Sequence, residues 1–291
     1  MNENQISTSS STSTTISPLN SPNPFINLPF LQKKYIAIFD WDDTLMCTNY
    51  LETFSINYSD IFKFNISLEQ INPLLLKELS ILEINIIELF QELLEKKIKI
   101  FIISNAKKVW IKNCLNFFFT KLKEFINENN IEIYSAVNLV QKKEKNNSYK
   151  KTKKINWKIR CFKEIILKNY KENYLELNIL SIGDSKEEKI ASFYLKKLNN
   201  YYKNINVNFI KFIHLPSAKC ISLQLKFLQN NYHNLINNKN NNIFKMKIII
   251  ENNNNNNNKI NIKCIKKEIK KYNLIMEENN NFLGKKKLIN Y

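Results

Sequence analysis

Asp40, Asp42 and Thr44 stand at alternate positions just after the apolar run Tyr35-Ile36-Ala37-Ile38-Phe39. Carboxylates at that spacing suit three kinds of chemistry: holding a hard cation, attacking an electrophile, and moving a proton. Two other segments repeat the pattern of an apolar run that stops at polar residues. Ile98 to Ile103 stops at Ser104-Asn105, and Leu177 to Ile182 stops at Gly183-Asp184-Ser185-Lys186-Glu187-Glu188. Two plainer readings stand beside the catalytic one at Asp40. A calcium loop of the EF-hand kind needs Gly at its sixth position and Glu at its twelfth, where this chain has Leu45 and Leu51. A solvated acidic turn after a strand remains open on this stretch alone.

Composition narrows the chemistry. The chain has only two glycines, Gly183 and Gly284, which excludes a P-loop, a dinucleotide-binding fingerprint and a nucleophile elbow, since each needs closely spaced glycines. Two histidines, His214 and His233, argue against a His-rich zinc site. Five scattered cysteines without a C-x-x-C pair fit reduced thiols in an intracellular, cytoplasmic protein. No apolar stretch approaches a membrane span, and the polar N-terminus lacks the apolar core of a signal peptide. The net charge of +18 would ordinarily suggest polyanionic partners. Lys, Asn and Ile are enriched together, however, and no Arg-and-aromatic stripe accompanies the charge, so nucleic acid is disfavoured as a partner.

The elements that must position these residues follow from periodicity. Tyr35 to Phe39 is a first buried strand, and if the chain stays extended beyond it, Asp40 and Asp42 share one face. The aromatics between Met46 and Pro73 (Tyr50, Phe54, Tyr58, Phe62, Phe64) suggest a small flap or simple packing on the sheet. Leucines and isoleucines at helical spacing from Leu74 to Lys97, after Pro73, predict a helix. Ile98 to Ile103 is the second strand. Val109 through Phe125 reads as one amphipathic helix, so Ser104 sits where a strand gives way to a helix and an anion or an ordinary N-cap can be served. Ile131 to Val137 is a third strand, and Gln141 to Lys154 a basic linker, readable also as a nuclear-localisation patch. A helix from Trp157-Lys158 to Tyr170, a strand at Leu177 to Ile182, a helix continuing through Leu195 to Tyr202, a strand at Val207 to Ile213 and a helix from Pro216 to Leu235 complete the alternation.

That order predicts an α/β fold, a doubly wound, Rossmann-like parallel sheet of about five strands with polar strand ends meeting at one rim. Residues 1–29, rich in Ser, Thr, Asn and Pro, are expected as a disordered tail. Residues 30–236 are expected as the catalytic domain, and 237–291 as an Asn- and Lys-rich region that is largely disordered, although 248–250 and 259–269 could add a strand pair or a helix.

Taken together these residues resemble the haloacid dehalogenase (HAD) superfamily of phosphohydrolases and phosphotransferases, over about residues 34 to 215. D-x-D-x-T matches Asp40, Asp42 and Thr44; a Ser after a strand matches Ser104; a Lys opening a helix falls on Lys158, with Lys153 and Lys154 as alternatives; and an acidic G-D cluster matches Gly183, Asp184 and Glu188. S-N-A, W-K-x-x-x-F and I-G-D-S-x-x-E look more narrowly like a set of HAD-like proteins found in eukaryotes. Glu188 stands where Asp is commoner.

The resemblance implies a Mg²⁺-dependent phosphatase. Asp40 would be the nucleophile that forms an aspartyl-phosphate, and Asp42 the acid and then base. Ser104, Asn105 and Lys158 would bind the phosphoryl oxygens. Asp40, Asp42 and Asp184 would hold the metal, with Thr44, Gly183 and Glu188 in support. The inserts leave no room for a large cap domain, so the implied substrate is a phosphorylated molecule as bulky as a phosphoprotein. The alternative is a catalytically silent HAD-like module that binds phosphorylated or acidic partners.

Overall fold

The computed structural model describes residues 33–54, 56, 67–139, 154–170, 176–200, 204–239, 242–251 and 259–267. The expected N-terminal tail, the aromatics Tyr58, Phe62 and Phe64, and nearly all of the basic linker lie outside these residues. No helix of the described residues is long and apolar enough to cross a membrane.

A seven-stranded sheet forms the centre, with strands β1 Lys33–Phe39, β2 Lys99–Ser104, β3 Glu132–Ser135, β4 Glu176–Gly183, β5 Asn204–Lys211, β6 Ile243–Glu251 and β7 Lys259–Lys267. Their order across the sheet is β3-β2-β1-β4-β5-β6-β7, and every neighbouring pair is parallel except β6 with β7. The helices are α1 Thr48–Glu52, α2 Pro73–Glu95, α3 Lys108–Phe117, α4 Thr120–Glu128, α5 Lys154–Asn169, α6 Lys186–Tyr194 and α7 Ala218–Ile236. Among the described residues no further domain stands over the strand ends.

The sheet is covered on both faces because its strands are apolar on both. In β1, Ala37 and Phe39 join a core with residues of α2, α3, α4 and α7, while Ile36 and Ile38 join a second core with α5 and α6. This two-sided burial is what a parallel sheet requires, since its crossovers place helices on both faces. Chain order reverses between β1 and β4: β2 and β3 lie to one side of β1, and β4, β5 and β6 to the other. Such a switch point opens a crevice beyond the carboxyl ends of the strands, where ligands of open α/β sheets bind.

Three expectations need correction. The single helix from Val109 to Phe125 is two, α3 and α4, broken at Phe118-Phe119. The break buries Phe119 edge-on to Trp41, with ring centroids 6.4 Å apart. Glu83 of α2 then accepts a hydrogen bond from the first-turn N–H of Leu122 at 2.9 Å, serving a helix start that has no side-chain cap of its own. The helix expected to continue through Leu195 to Tyr202 is α-helical only as α6, Lys186–Tyr194, and passes into a 3-10 helix at Leu195–Asn200.

The sheet also has seven strands rather than about five, because the strand pair offered as an alternative for 248–250 and 259–269 is formed, as β6 and β7. It continues beyond Ile236 because Asn208, buried in β5, accepts a hydrogen bond from the Asn242 N–H at 2.9 Å and donates to the Asn238 carbonyl at 2.7 Å. These bonds hold the turn that returns the chain to the sheet, and Phe244 and Met246 of β6 then join the core.

Candidate functional site

β1, β2, β4 and β5 all deliver polar residues to the rim at the switch point. The ladder between β1 and β4 runs one residue past β1, where the Asp40 N–H bonds the Ile182 carbonyl at 3.0 Å. The chain does not stay extended beyond it. The Trp41 carbonyl accepts from the N–H groups of Leu45 and Met46, each at 2.9 Å, and Asp43 adopts φ 52, so residues 41–45 form a tight turn. Asp40 and Asp42 therefore do not share one strand face as expected. They meet at the same rim, each held by a different helical layer.

Asp40 faces α5. Its Oδ1 lies 2.7 Å from the Lys158 ammonium, which also pairs with Glu188 at the start of α6, and all three side chains are buried. Glu188 is in turn fixed by the Ser185 N–H at 2.9 Å and by the Ser185 hydroxyl, in the capping box that starts α6. Lys158 is thus seated beside Asp40; of the two alternatives for the third motif, Lys153 lies outside the described residues and so does the side chain of Lys154.

Burial pushes the Asp40 carboxyl well above its ordinary value, and Glu188 and Asp42 add to this while Lys158 opposes it. Burial alone would pull Lys158 down and Glu188 up. Their pairing reverses both, so Lys158 is held above the usual lysine range by Asp40 and Glu188, and Glu188 below the usual carboxylate range by Lys158 and Ser185.

Asp42 faces α3. Its Oδ1 accepts from the Thr48 hydroxyl at 2.7 Å and from the Trp110 indole N–H at 3.0 Å, and its Oδ2 from the Ser104 hydroxyl at 3.2 Å. Ser104, at the end of β2, accepts from the Ala106 N–H at 2.9 Å. Asn105 beside it has a buried Oδ1 without a hydrogen-bond partner among the described residues, and the buried Thr44 hydroxyl is likewise unpartnered. Beyond Asp42 opens a cleft of about 430 Å³, walled by Ile56, Ala106 and Trp110 with Glu52 and Lys107 on its edge.

Asp184, one residue past β4, lies 2.9 Å through Oδ2 from His214 Nδ1, and its backbone carbonyl accepts from Lys211. Burial raises its carboxyl, as it raises that of Asp43. Gly183 stands where α6 folds back over β4, and a Cβ there would lie 2.6 Å from Glu188 Cγ. We expect Gly183→Ala to displace Glu188 from Lys158 and to destabilise the chain by about 1–3 kcal/mol, read from urea unfolding. An unchanged midpoint would mean that Glu188 gives way freely.

One ligand atom from each of Asp40, Asp184 and Glu188 lies within 4.8 Å of the others, and the same holds for Asp43, Asp184 and His214. Because Glu188 is committed to Lys158 and Ser185, and Asp40 Oδ1 to Lys158, the carboxylate oxygens of the first group left to a cation are Asp40 Oδ2 and those of Asp184. Carboxylate oxygens of this kind fit a hard divalent ion such as Mg²⁺. The thiols behind the turn do not compete as nucleophiles: burial pushes Cys47 up to about 12 and raises Cys114 as well.

All nine residues singled out in the sequence lie at the ends of β1, β2 and β4 or on the two helices behind them. Thr48, Asp43, Trp110, Ser185 and His214 were missed. Asp43 and Ser185 lie inside the motifs themselves, and His214 follows the end of β5, so position relative to a strand end was the available signal. Nothing in the spacing of Trp110 distinguished it from a core residue of α3.

The sequence matches no family model, and a search of curated proteins finds no match. Among solved structures it is similar to the HAD domain of the effector protein Lem4 from Legionella pneumophila, with a TM-score of 0.37 and 15% identity over 70% of this chain and 96% of that one. Neither activity nor ligand passes to this chain through a likeness of that degree.

Proposed function

We propose that the chain is a Mg²⁺-dependent phosphomonoester hydrolase of the HAD type that acts through an aspartyl-phosphate on Asp40. The observation that carries this reading is the pair of carboxylates at the switch point with opposite surroundings. Asp40 sits against a buried ammonium, whereas Asp42 is fixed by three donors at the mouth of a cleft. One is placed to attack a phosphorus whose oxygens Lys158 attracts, and the other to handle the proton of the leaving group.

In the first half-reaction an Asp40 carboxylate oxygen forms a bond to phosphorus while the bond from phosphorus to the ester oxygen breaks. Asp42, protonated, gives its proton to that departing oxygen. In the second, Asp42 takes a proton from water, the water oxygen bonds to phosphorus, and the bond to Asp40 breaks to release inorganic phosphate. Asn105 and Lys158 orient the phosphoryl oxygens, and Ser104 joins them by turning its one O–H from Asp42 to the bound group, Ser104 and Asn105 acting from the junction of β2 and α3. Mg²⁺ held by Asp40, Asp184 and the Asp42 carbonyl would offset the negative charge gathered there. The cleft beside Asp42 takes the leaving group.

The test is release of p-nitrophenol from p-nitrophenyl phosphate by the purified chain with Mg²⁺, with EDTA, and with Mg²⁺ restored. Turnover lost with EDTA and recovered with Mg²⁺ is expected, at a low rate because the open rim suits a bulkier ester. Turnover indifferent to EDTA would sink the reading, and a low-micromolar KM for a small metabolite would sink the bulky-substrate part of it. No turnover, with Mg²⁺-dependent binding of a phosphate mimic, would favour the silent binding module instead. Trp110→Phe keeps an aromatic ring but removes the N–H that fixes Asp42, so kcat, read well below the thermal midpoint, should fall about 10-fold; the smaller ring also leaves a cavity in the core and should lower the midpoint. An unaltered kcat would mean that Thr48 and Ser104 suffice to hold Asp42.

A further inference from the structure

A second concavity lies on the α2 and α7 face. Both helices leave the rim that carries the candidate site: α2 follows the loop after β1, and α7 begins four residues beyond His214. Between their outer flanks runs a groove of about 330 Å³ with apolar walls from Leu74, Ile81 and Leu223. Leu74 and Ile81 are 65% and 45% exposed, so this is apolar surface left uncovered. Lys77, Lys219 and Lys226, all exposed, stand around it.

Two polar atoms of its lining are buried without hydrogen-bond partners among the described residues, Asn85 Nδ2 and Ser222 Oγ, while the Glu78 carboxylate beside them meets the Tyr50 hydroxyl. Buried polar groups are nearly always paired, and Asn85 and Ser222 are each more than nine-tenths buried. The amide nitrogen needs an acceptor, and the hydroxyl can use an acceptor or a donor. A peptide backbone offers both kinds of group in alternation, which an alkyl carboxylate does not. Three lysines against one glutamate, together with the N-terminal ends of two helices, favour negative charge. We propose that this groove docks a segment of a partner protein that combines apolar with acidic side chains. Its main chain would bond Asn85 and Ser222, and its apolar side chains would lie on Leu74, Ile81 and Leu223.

The proposal does not depend on the hydrolase reading, and it is tested by binding alone, in EDTA. A random dodecapeptide display library is selected against the immobilised full-length chain, and enriched peptides are synthesised and measured by fluorescence anisotropy. Enriched sequences should combine Leu, Ile or Phe with Asp or Glu. Their binding should weaken about 10-fold or more in Lys219→Glu/Lys226→Glu, and similarly in Ile81→Ser, both exposed changes whose folding is checked by circular dichroism. A library that yields no binder, or binders indifferent to both variants, overturns the proposal. So does displacement of every binder by a synthetic peptide of residues 1–30, which would make the chain's own N-terminal segment the occupant. Displacement by decanoate at sub-millimolar concentration, without peptide selectivity, would make the occupant a small amphiphile and overturn it as well.

Discussion

Asp40→Asn should lower Mg²⁺-dependent kcat by about 10³-fold or more, because the amide keeps the shape of the carboxylate but cannot bond to phosphorus in its place. The same substitution should leave the urea midpoint at neutral pH equal or higher. Asp40, Glu188 and Lys158 form a buried group of two anions and one cation. Replacing Asp40 by a neutral amide leaves one of each, and the burial that holds the Asp40 carboxyl above its ordinary value ceases to act. A residue that weakens the fold and carries the chemistry is the pattern of a site kept for function. Full turnover in Asp40→Asn would remove the aspartyl-phosphate route. Loss of activity with a collapse of the urea midpoint would show instead that Asp40 serves mainly to hold Lys158.

How far the sequence reached depended on whether a signal was local. The parallel core was legible because each of β1, β2, β4 and β5 is a short apolar run followed by polar residues and then a helical period. The motif residues were legible for the same reason, since a strand end fixes where the next side chain emerges. What escaped depends on contacts distant in sequence. The break at Phe118-Phe119 is made by Trp41 and Glu83, far away in the chain, and a continuous helical period gives no hint of it. β6 and β7 were legible only as one alternative, the strand pair offered for 248–250 and 259–269, because their composition resembles that of the Asn-rich stretch between them. Their period of two, with Phe244 and Met246 turned inward, is readable only once Asn208 is seen to hold the preceding turn. The divergence of Asp40 and Asp42 follows from the turn at Trp41, whose carbonyl collects two N–H groups from the residues ahead. A period-two argument assumes a strand that here has already ended.

Lys158→Met should destabilise the chain by about 3–5 kcal/mol at neutral pH, because it leaves two carboxylates buried without their cation. Size is not the cause, since Met fills nearly the same volume. The dependence on pH separates charge from packing. Without Lys158, Asp40 loses the group that opposes its upward shift, and Glu188 loses the chief cause of its downward one. Both carboxyls would then titrate higher in the folded chain than in the unfolded one, so the folded chain binds more protons. Stability of the variant should accordingly fall as pH rises through those raised values, and its deficit against the parent chain should shrink as pH falls through them. Adding Glu188→Gln removes one stranded anion, so the double variant should be more stable than Lys158→Met alone, although Glu188→Gln in the parent chain costs stability. That reversal of sign is a coupling of about 1–3 kcal/mol, measurable as a double-mutant cycle in urea. Additive losses with a deficit constant in pH would show that Lys158 acts through its packed stem. If the coupling is found, one ammonium serves both fold and site: it makes two buried carboxylates tolerable in the fold, and it leaves one of them beside the positive charge that a phosphoryl group requires.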